Sequence, residues 1–382
     1  MKKLLASVVG LSALALVLLP ACGGSTFVWA AGDKFTIGVS APLSGINAVR
    51  GKYVKDAADF AVEQINAAGG VNGKMLALAY EDNEGNPTKV VGTVTKLIEQ
   101  TGVSGLLVSD SSGTMASIPV VTKAKIPMFT TAFSPALTAQ GSAYIFRSTV
   151  SDGITGPQVV EYAMKDLKYK KIAIMASDED YGMGAAEPAA KALQAMGNPA
   201  VAFEKFNAKD QDFSSLLLNI KKAGAQVVFV HTYDVPAALV TKQIHEMGLG
   251  IAVVGATGLA SEQFRNLAGV ANVEGLHVLV AFINTNPDPM VQEFVKKFKE
   301  KVGYLPDHNS ARSHAAVMLL AAAMKKAGST KGEEVAKALH SLKDVKLPGG
   351  TFTFNEKGEG LFQNMVGVWK GGKLEFVKKY TK

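Results

Sequence analysis

Short apolar runs alternate with amphipathic segments twice along this chain, and that alternation restricts the fold more than any single motif. In the first half, Phe35, Ile37 and Val39 alternate in a strand predicted over 34–41. A helix over 49–68 follows, with Val54, Ala57, Ala58, Ala61, Val62 and Ile65 at helical spacing and Gly69-Gly70 as its stop. Further strands are predicted at 75–80, 105–109, 126–131 and 143–147, and Asn86-Pro87 caps and opens a helix reaching about Gln100. After Ser151 the pattern restarts. Helices predicted over 156–167, 184–196, 212–223, 236–247 and 261–267 alternate with strands at 171–176, 200–206, 226–231, 251–255 and 275–281. Three helices follow near 288–301, 309–327 and 331–342, and the tail from Thr351 reads as short strands separated by glycines. Strand–helix alternation of this kind implies parallel sheets covered on both faces. Two Rossmann-like α/β lobes are therefore expected, with a seam near 148–152. In such sheets ligands bind beyond the carboxyl ends of the strands, so two lobes can share one cleft.

The 382 residues are enough for two domains, and 48 % hydrophobic residues mark a globular chain. The N-terminus reads separately. Met1-Lys2-Lys3 is basic, Leu4–Leu19 is almost wholly apolar, and Leu19-Pro20-Ala21-Cys22 places a small residue before the chain's one cysteine. This is the pattern of a secretion leader over residues 1–22, too short for a spanning helix. Leu-x-Ala-Cys resembles the bacterial lipobox, which would make Cys22 a lipidated first residue and tether the protein outside the cytoplasm. Ordinary cleavage after Val28-Trp29-Ala30 is the alternative. A lone cysteine cannot form an internal disulfide, which favours lipidation. The formal charge of +7, or +5 without Lys2 and Lys3, is spread thinly. Lys296, Lys297, Lys299 and Lys301 read as one solvated helix face, so no nucleic-acid partner is expected.

One loop stands out. Leu106-Leu107-Val108 ends a buried strand, and Ser109-Asp110-Ser111-Ser112-Gly113-Thr114 follows before a helix. Free N–H groups and hydroxyls at a helix start suit an anion such as a carboxylate. Ser, Asp and Thr are equally the ordinary capping residues, so the loop taken alone fits a plain cap.

Enzyme signals are absent. Tyr181-Gly-Met-Gly-Ala-Ala-Glu187 contains Gly-x-Gly between a predicted strand and helix, but Glu187 stands where the third glycine of a dinucleotide fingerprint belongs. It reads as a tight turn. No phosphate-binding loop or nucleophile elbow occurs, and the six histidines and one cysteine show no metal spacing. No cofactor, metal or catalytic residue is expected. His231 ends a strand that points to the cleft, and reads either as a ligand donor or as a satisfied buried histidine.

Six stretches together resemble the leucine/isoleucine/valine-binding protein family, the receptors of one class of ABC importers. They are Ile37-Gly-Val-Ser-Ala-Pro-Leu-Ser-Gly45, Ala61–Lys74, Leu137-Thr-Ala-Gln-Gly141, Asp180-Tyr-Gly182, Asp212-Phe-Ser214 and Phe354-Asn-Glu-Lys-Gly358. The resemblance implies a type I periplasmic binding fold with three crossovers between lobes. On the expected division, residues 34–149 with 285–350 form one lobe and 150–284 with 351–382 the other. It also implies a ligand set. Ser111, with Ser112 beside it, matches the carboxylate-holding position, and Thr131, Ala132 and Phe133 fall on the loop that completes it. Phe133 stands where amino-acid binders often have threonine, and Ser134 next to it is a substitute hydroxyl. Tyr181 and Tyr233 match aromatic walls on the second lobe. Thr257 occupies the position of the glutamate that holds a ligand ammonium, and Arg50 a position usually aromatic.

The departures carry physical meaning. Burying an ammonium without a carboxylate partner costs several kcal/mol. Asp110, Asp178 and Asp234 are the available substitutes, each in a loop. Arg50 instead supplies a permanent positive charge suited to a carboxylate. The expectation is a monomeric, extracytoplasmic solute receptor clamping a monocarboxylate without an α-amino group, aromatic acids favoured, and delivering it to a permease. The alternatives are a true Leu/Ile/Val receptor or a sensory ligand-binding module.

Overall fold

The computed structural model describes residues 35–45, 47–360 and 362–380. Cys22 and the alternative cleavage site at Ala30 lie outside the described residues. The first half runs β1 (Phe35–Ala41), α1 (Ala48–Ala67), β2 (Leu76–Asp82), α2 (Pro87–Lys96), β3 (Gly105–Val108), α3 (Ser111–Ala124), β4 (Met128–Thr130), α4 (Ala136–Ala139) and β5 (Ile145–Arg147). The second runs α5 (Asp152–Lys165), β6 (Ile172–Ser177), α6 (Asp180–Ala195), β7 (Ala202–Phe206), α7 (Ser214–Lys222), β8 (Val227–His231), α8 (Asp234–Glu246), β9 (Ala252–Gly255), α9 (Glu262–Ala268), α10 (Val270–Val273) and β10 (His277–Val280). The last part comprises α11 (Pro289–Val302), α12 (His308–Ala327), α13 (Gly332–His340), β11 (Val345–Leu347), β12 (Gly350–Phe352), β13 (Met365–Lys370) and β14 (Lys373–Lys379).

These strands form two sheets. The first has the order β2-β1-β3-β4-β5 and is parallel throughout. The second has the order β14-β13-β10-β9-β8-β6-β7, parallel except for the final hairpin. Their central strands are continuous apolar runs because both faces are covered. On one face of the first sheet, Phe129 and Phe146 pack with Leu319, Leu320 and Leu339 from α12 and α13. On the other, Leu106 and Val108 pack with Val90 and Val121 from α2 and α3. The second sheet is sandwiched in the same way, by α5 and α6 on one face and α7, α8 and α9 on the other.

The chain passes between the sheets three times: directly after β5, after β10, and after β12 on the way to β13. Before the third passage is complete, Phe352 and Phe354 remain in the core of the first sheet. Arg147 ties the passages together. It is wholly buried, and its guanidinium donates to the carbonyls of Ala132 and Ser134 (2.7 Å for the latter) and to the Glu359 carboxylate (3.0 Å from Nε). One side chain thus joins the first crossover, the third crossover and the loop after β4.

Three helices begin earlier than their apolar periodicity predicts. α5 starts at Asp152 rather than 156, α6 at Asp180 rather than 184, and α8 at Asp234 rather than 236. Their first turns lack the regular apolar spacing, and side-chain caps define two of them: Ser151 accepts from the Gly153 N–H, and Glu179 from those of Tyr181 and Gly182, whereas α8 starts without a side-chain cap. The Gly-x-Gly stretch is accordingly the first turn of α6 and not a preceding loop. Gly182 is there because a Cβ would sit 1.9 Å from the Ser177 carbonyl oxygen at the end of β6.

Candidate functional site

The carboxyl ends of the two sheets face each other across a narrow cavity, nearly closed in this structure at about 20 Å³. The first lobe contributes Ser109 and Ser111 from the end of β3 and the start of α3, Ala132 and Phe133 from the loop after β4, and Arg50 from α1. The second contributes Tyr181 from α6, Tyr233 and Asp234 from the start of α8, and Thr257 and Gly258. The first turn of α12 closes the cavity with His308, Asn309 and Arg312.

The pole nearest α3 is rich in donors. Asp110 caps α3 by accepting from the Gly113 N–H, which leaves the Ser111 and Ser112 N–H groups without partners inside the helix. The hydroxyls of Ser109 and Thr131 are buried and unpaired. Burial raises the Asp110 carboxyl above its ordinary range, against the pull of the Gly113 N–H and of Arg50.

Aromatic rings form the walls. Phe133 lies 5.7 Å from Tyr181, and Tyr181 lies 4.8 Å from Tyr233, so rings from both lobes meet. The Tyr181 hydroxyl is held 3.1 Å from the Thr257 Oγ1. Thr257 sits on a turn backed by Trp369, whose indole N–H donates to the Leu259 carbonyl (2.8 Å). Burial pushes the phenols of both tyrosines upward, so both are neutral donors or acceptors at ordinary pH.

Two guanidinium groups share the cavity. The Arg50 group lies 5.4 Å from the centre of the Tyr233 ring, and that of Arg312 lies 4.4 Å from the centre of Phe133. Arg312 is 5 % exposed; one of its nitrogens donates to Asn309, while Nε and Nη1 have no partner. Burial, and then the charge of Arg50, pull its pKa down to about 10. His308 is lowered to about 3 by burial and then by Arg312, so it is neutral, and its Nδ1 is unpaired. The one carboxylate at the cavity wall, Asp234, accepts from the Ser261 hydroxyl.

Nine of the residues singled out from sequence therefore line one cavity: Arg50, Ser109, Ser111, Ala132, Phe133, Tyr181, Tyr233, Asp234 and Thr257. The others stand just outside it. Ser112 is one residue further into α3. Thr131 is buried, and its N–H donates to the Val108 carbonyl. Ser134 gives its carbonyl to Arg147. His231 stands behind Tyr181, 4.5 Å ring to ring, with Nε2 3.0 Å from Asp152. Of the acidic substitutes, Asp110 is a cap and Asp178 faces Lys205 at 3.7 Å, leaving Asp234. Sequence reading missed Gly258, His308, Asn309 and Arg312. A signal existed for the last three: Asp307-His-Asn-Ser-Ala-Arg-Ser-His314 is an almost wholly polar opening to an otherwise apolar helix, and it is buried.

A wider groove lined by Asn286, Lys346, Pro348 and Phe362 lies at the crossovers, but none of the buried unpaired polar atoms borders it. Among the described residues no cluster of three or more histidine, cysteine or acidic side chains could hold a metal, and no helix is long and apolar enough to cross a membrane.

Comparison with known proteins agrees with this architecture. The family described as periplasmic binding protein matches residues 34–373. A Leu/Ile/Val-binding protein homologue of Brucella melitensis is 31 % identical over 354 residues, spanning 91 % of this chain and 95 % of that one. A leucine-, isoleucine-, valine-, threonine- and alanine-binding protein of Pseudomonas aeruginosa is 30 % identical, spanning 86 % and 88 %. The branched-chain amino acid transporter substrate binding protein of Streptococcus pneumoniae, solved with isoleucine, superposes with a TM-score of 0.82 at 26 % identity, covering 91 % of this chain and all of the other. An R. palustris solute binding protein solved with benzoate gives 0.83 at 22 % identity, covering 91 % and 96 %.

Proposed function

Because this chain belongs to the periplasmic binding protein family, whose members are solute receptors of ABC transporters and not enzymes, we propose that it captures a small carboxylate lacking an α-ammonium group, aromatic acids favoured, and presents it to a membrane permease. The observation that carries this reading is the charge at the cavity wall. Two arginines and a helix N-terminus face a single carboxylate, Asp234, which is engaged with Ser261. An ammonium placed here meets cations and the neutral Thr257 hydroxyl. A carboxylate meets unpaired donors.

In this reading the ligand carboxylate sits against the N–H groups of Ser111 and Ser112 and the hydroxyls of Ser109 and Thr131. A flat ring lies between Phe133 of one lobe and Tyr181 and Tyr233 of the other, and hinge bending at the crossovers brings these walls together. A monomer outside the cytoplasm, tethered by lipid on Cys22, completes the proposal.

One observation favours a second reading. Asp234 borders the cavity and could hold an ammonium in place of the glutamate, as a branched-chain amino acid would require. A thermal-shift screen separates the two. Benzoate, hydroxybenzoates, 2-oxo acids and short fatty acids are compared with leucine, isoleucine and valine. Ligands that bind only the folded state raise Tm by several degrees at about a hundredfold excess over Kd. A shift with amine-free acids supports the first reading; a shift with the amino acids alone replaces it with the second.

A further inference from the structure

Resting on that reading, we infer that the ligand bears two acidic groups, one held at the start of α3 and the other by Arg50 and Arg312. The first locus already has unpaired donors of its own: the N–H groups of α3 and the buried hydroxyl of Ser109. The two guanidinium groups form a second. They come from α1 and α12, which pack on the opposite face of the first sheet from α3.

No ion pair joins Arg50 or Arg312 to a carboxylate among the described residues. Each acidic residue nearby is committed at a helix start: Asp110 to the Gly113 N–H, Asp307 to the Ser310 N–H and Asn309, and Asp234 to Ser261 in the first turn of α8. Asp307 and Asp234 act on Arg312, and Asp110 on Arg50, from a distance, but none of them makes an ion pair with either guanidinium group. Arg312 is nine-tenths buried with two unpaired nitrogens, and Arg50 adds a buried unpaired Nε. Like charges brought this close in a low-dielectric cleft repel, and an anion between them removes the repulsion. Both guanidinium groups lie over aromatic rings, Arg312 over Phe133 and Arg50 over Tyr233, so the rings help to hold them at the cavity wall before ligand arrives.

One carboxylate can occupy one locus and leaves the other unpaired. A dicarboxylate on a short or flat skeleton serves both.

Titration calorimetry on the full chain tests this with matched pairs: benzene-1,4-dicarboxylate against benzoate, and pentanedioate against pentanoate. The dicarboxylate of at least one pair should bind about tenfold or more tighter than its partner. Arg312→Met and Arg50→Met should each collapse that ratio toward one. Because Arg50 is only half-buried, its variant remains informative if Arg312→Met fails to fold. Equal or tighter binding of the monocarboxylates overturns the two-acid inference and leaves the carboxylate reading standing. Binding of leucine with neither acid class overturns both.

Discussion

His314 shows how far a single side chain can set the behaviour of this protein. It lies on α12 against Phe60 and Phe294, with Nε2 2.7 Å from the Gln64 side-chain oxygen and Nδ1 unpaired. Burial lowers its pKa from 6.5 to about 4. A histidine with a depressed folded pKa takes up its proton more readily when unfolded. Its contribution is therefore fully present above pH 6.5 and is lost as pH falls from there toward 4, by about 3 kcal/mol. Urea unfolding at pH 7 and pH 4.5 should show this loss, and His314→Gln should flatten the dependence; an unchanged slope would refute the assignment. His308 acts in the same direction over a window reaching further into acid. Legibility at this scale was uneven. Ser111, Tyr181, Tyr233 and Thr257 were readable because the resemblance supplied a position for each. Arg312 and His308 were not, because a polar opening turn looks like a solvated cap until tertiary packing buries it.

Elements were legible where apolar periodicity defined them and blurred where capping did. The parallel strands β1 to β10 could all be read from apolar runs or alternation close to their places, yet the starts of α5, α6 and α8 were read as part of the loop before them. Those turns carry or adjoin the cleft residues Tyr181, Tyr233 and Asp234. Positions that face the cavity are the ones periodicity passes over, because they pack across the cleft and not along the helix's own apolar stripe. Arg147 was equally hidden, since its partners Ala132, Ser134 and Glu359 come from three separate segments. Arg147→Met should cost roughly 2–4 kcal/mol, because it removes a wholly buried guanidinium from the half-buried Glu359 carboxylate and leaves two carbonyls without their donor. Chemical denaturation measures it, and a loss under about 1 kcal/mol would show that the junction is not held by this ion pair.

At the scale of the whole molecule, the doubled alternation announced two lobes, whereas the number of crossovers came only from family resemblance, as connecting loops have no periodicity to read. The lobes meet closely at Gly184, where a Cβ would lie 3.2 Å from Pro135 and 3.4 Å from Ser134. Gly184→Leu should lower ligand affinity about tenfold or more by obstructing closure, while Tm without ligand stays within about a degree, since leucine suits a helix better than glycine. Unchanged affinity would place closure elsewhere. The turn bearing Thr257 and Gly258 rests on the indole of Trp369 through Leu259. Trp369 is the sole tryptophan among the described residues. The cleft thus carries its own optical probe: a ligand that presses on this turn should change the emission of Trp369, with no label attached, and Trp29→Phe separates that signal from the chain's other tryptophan.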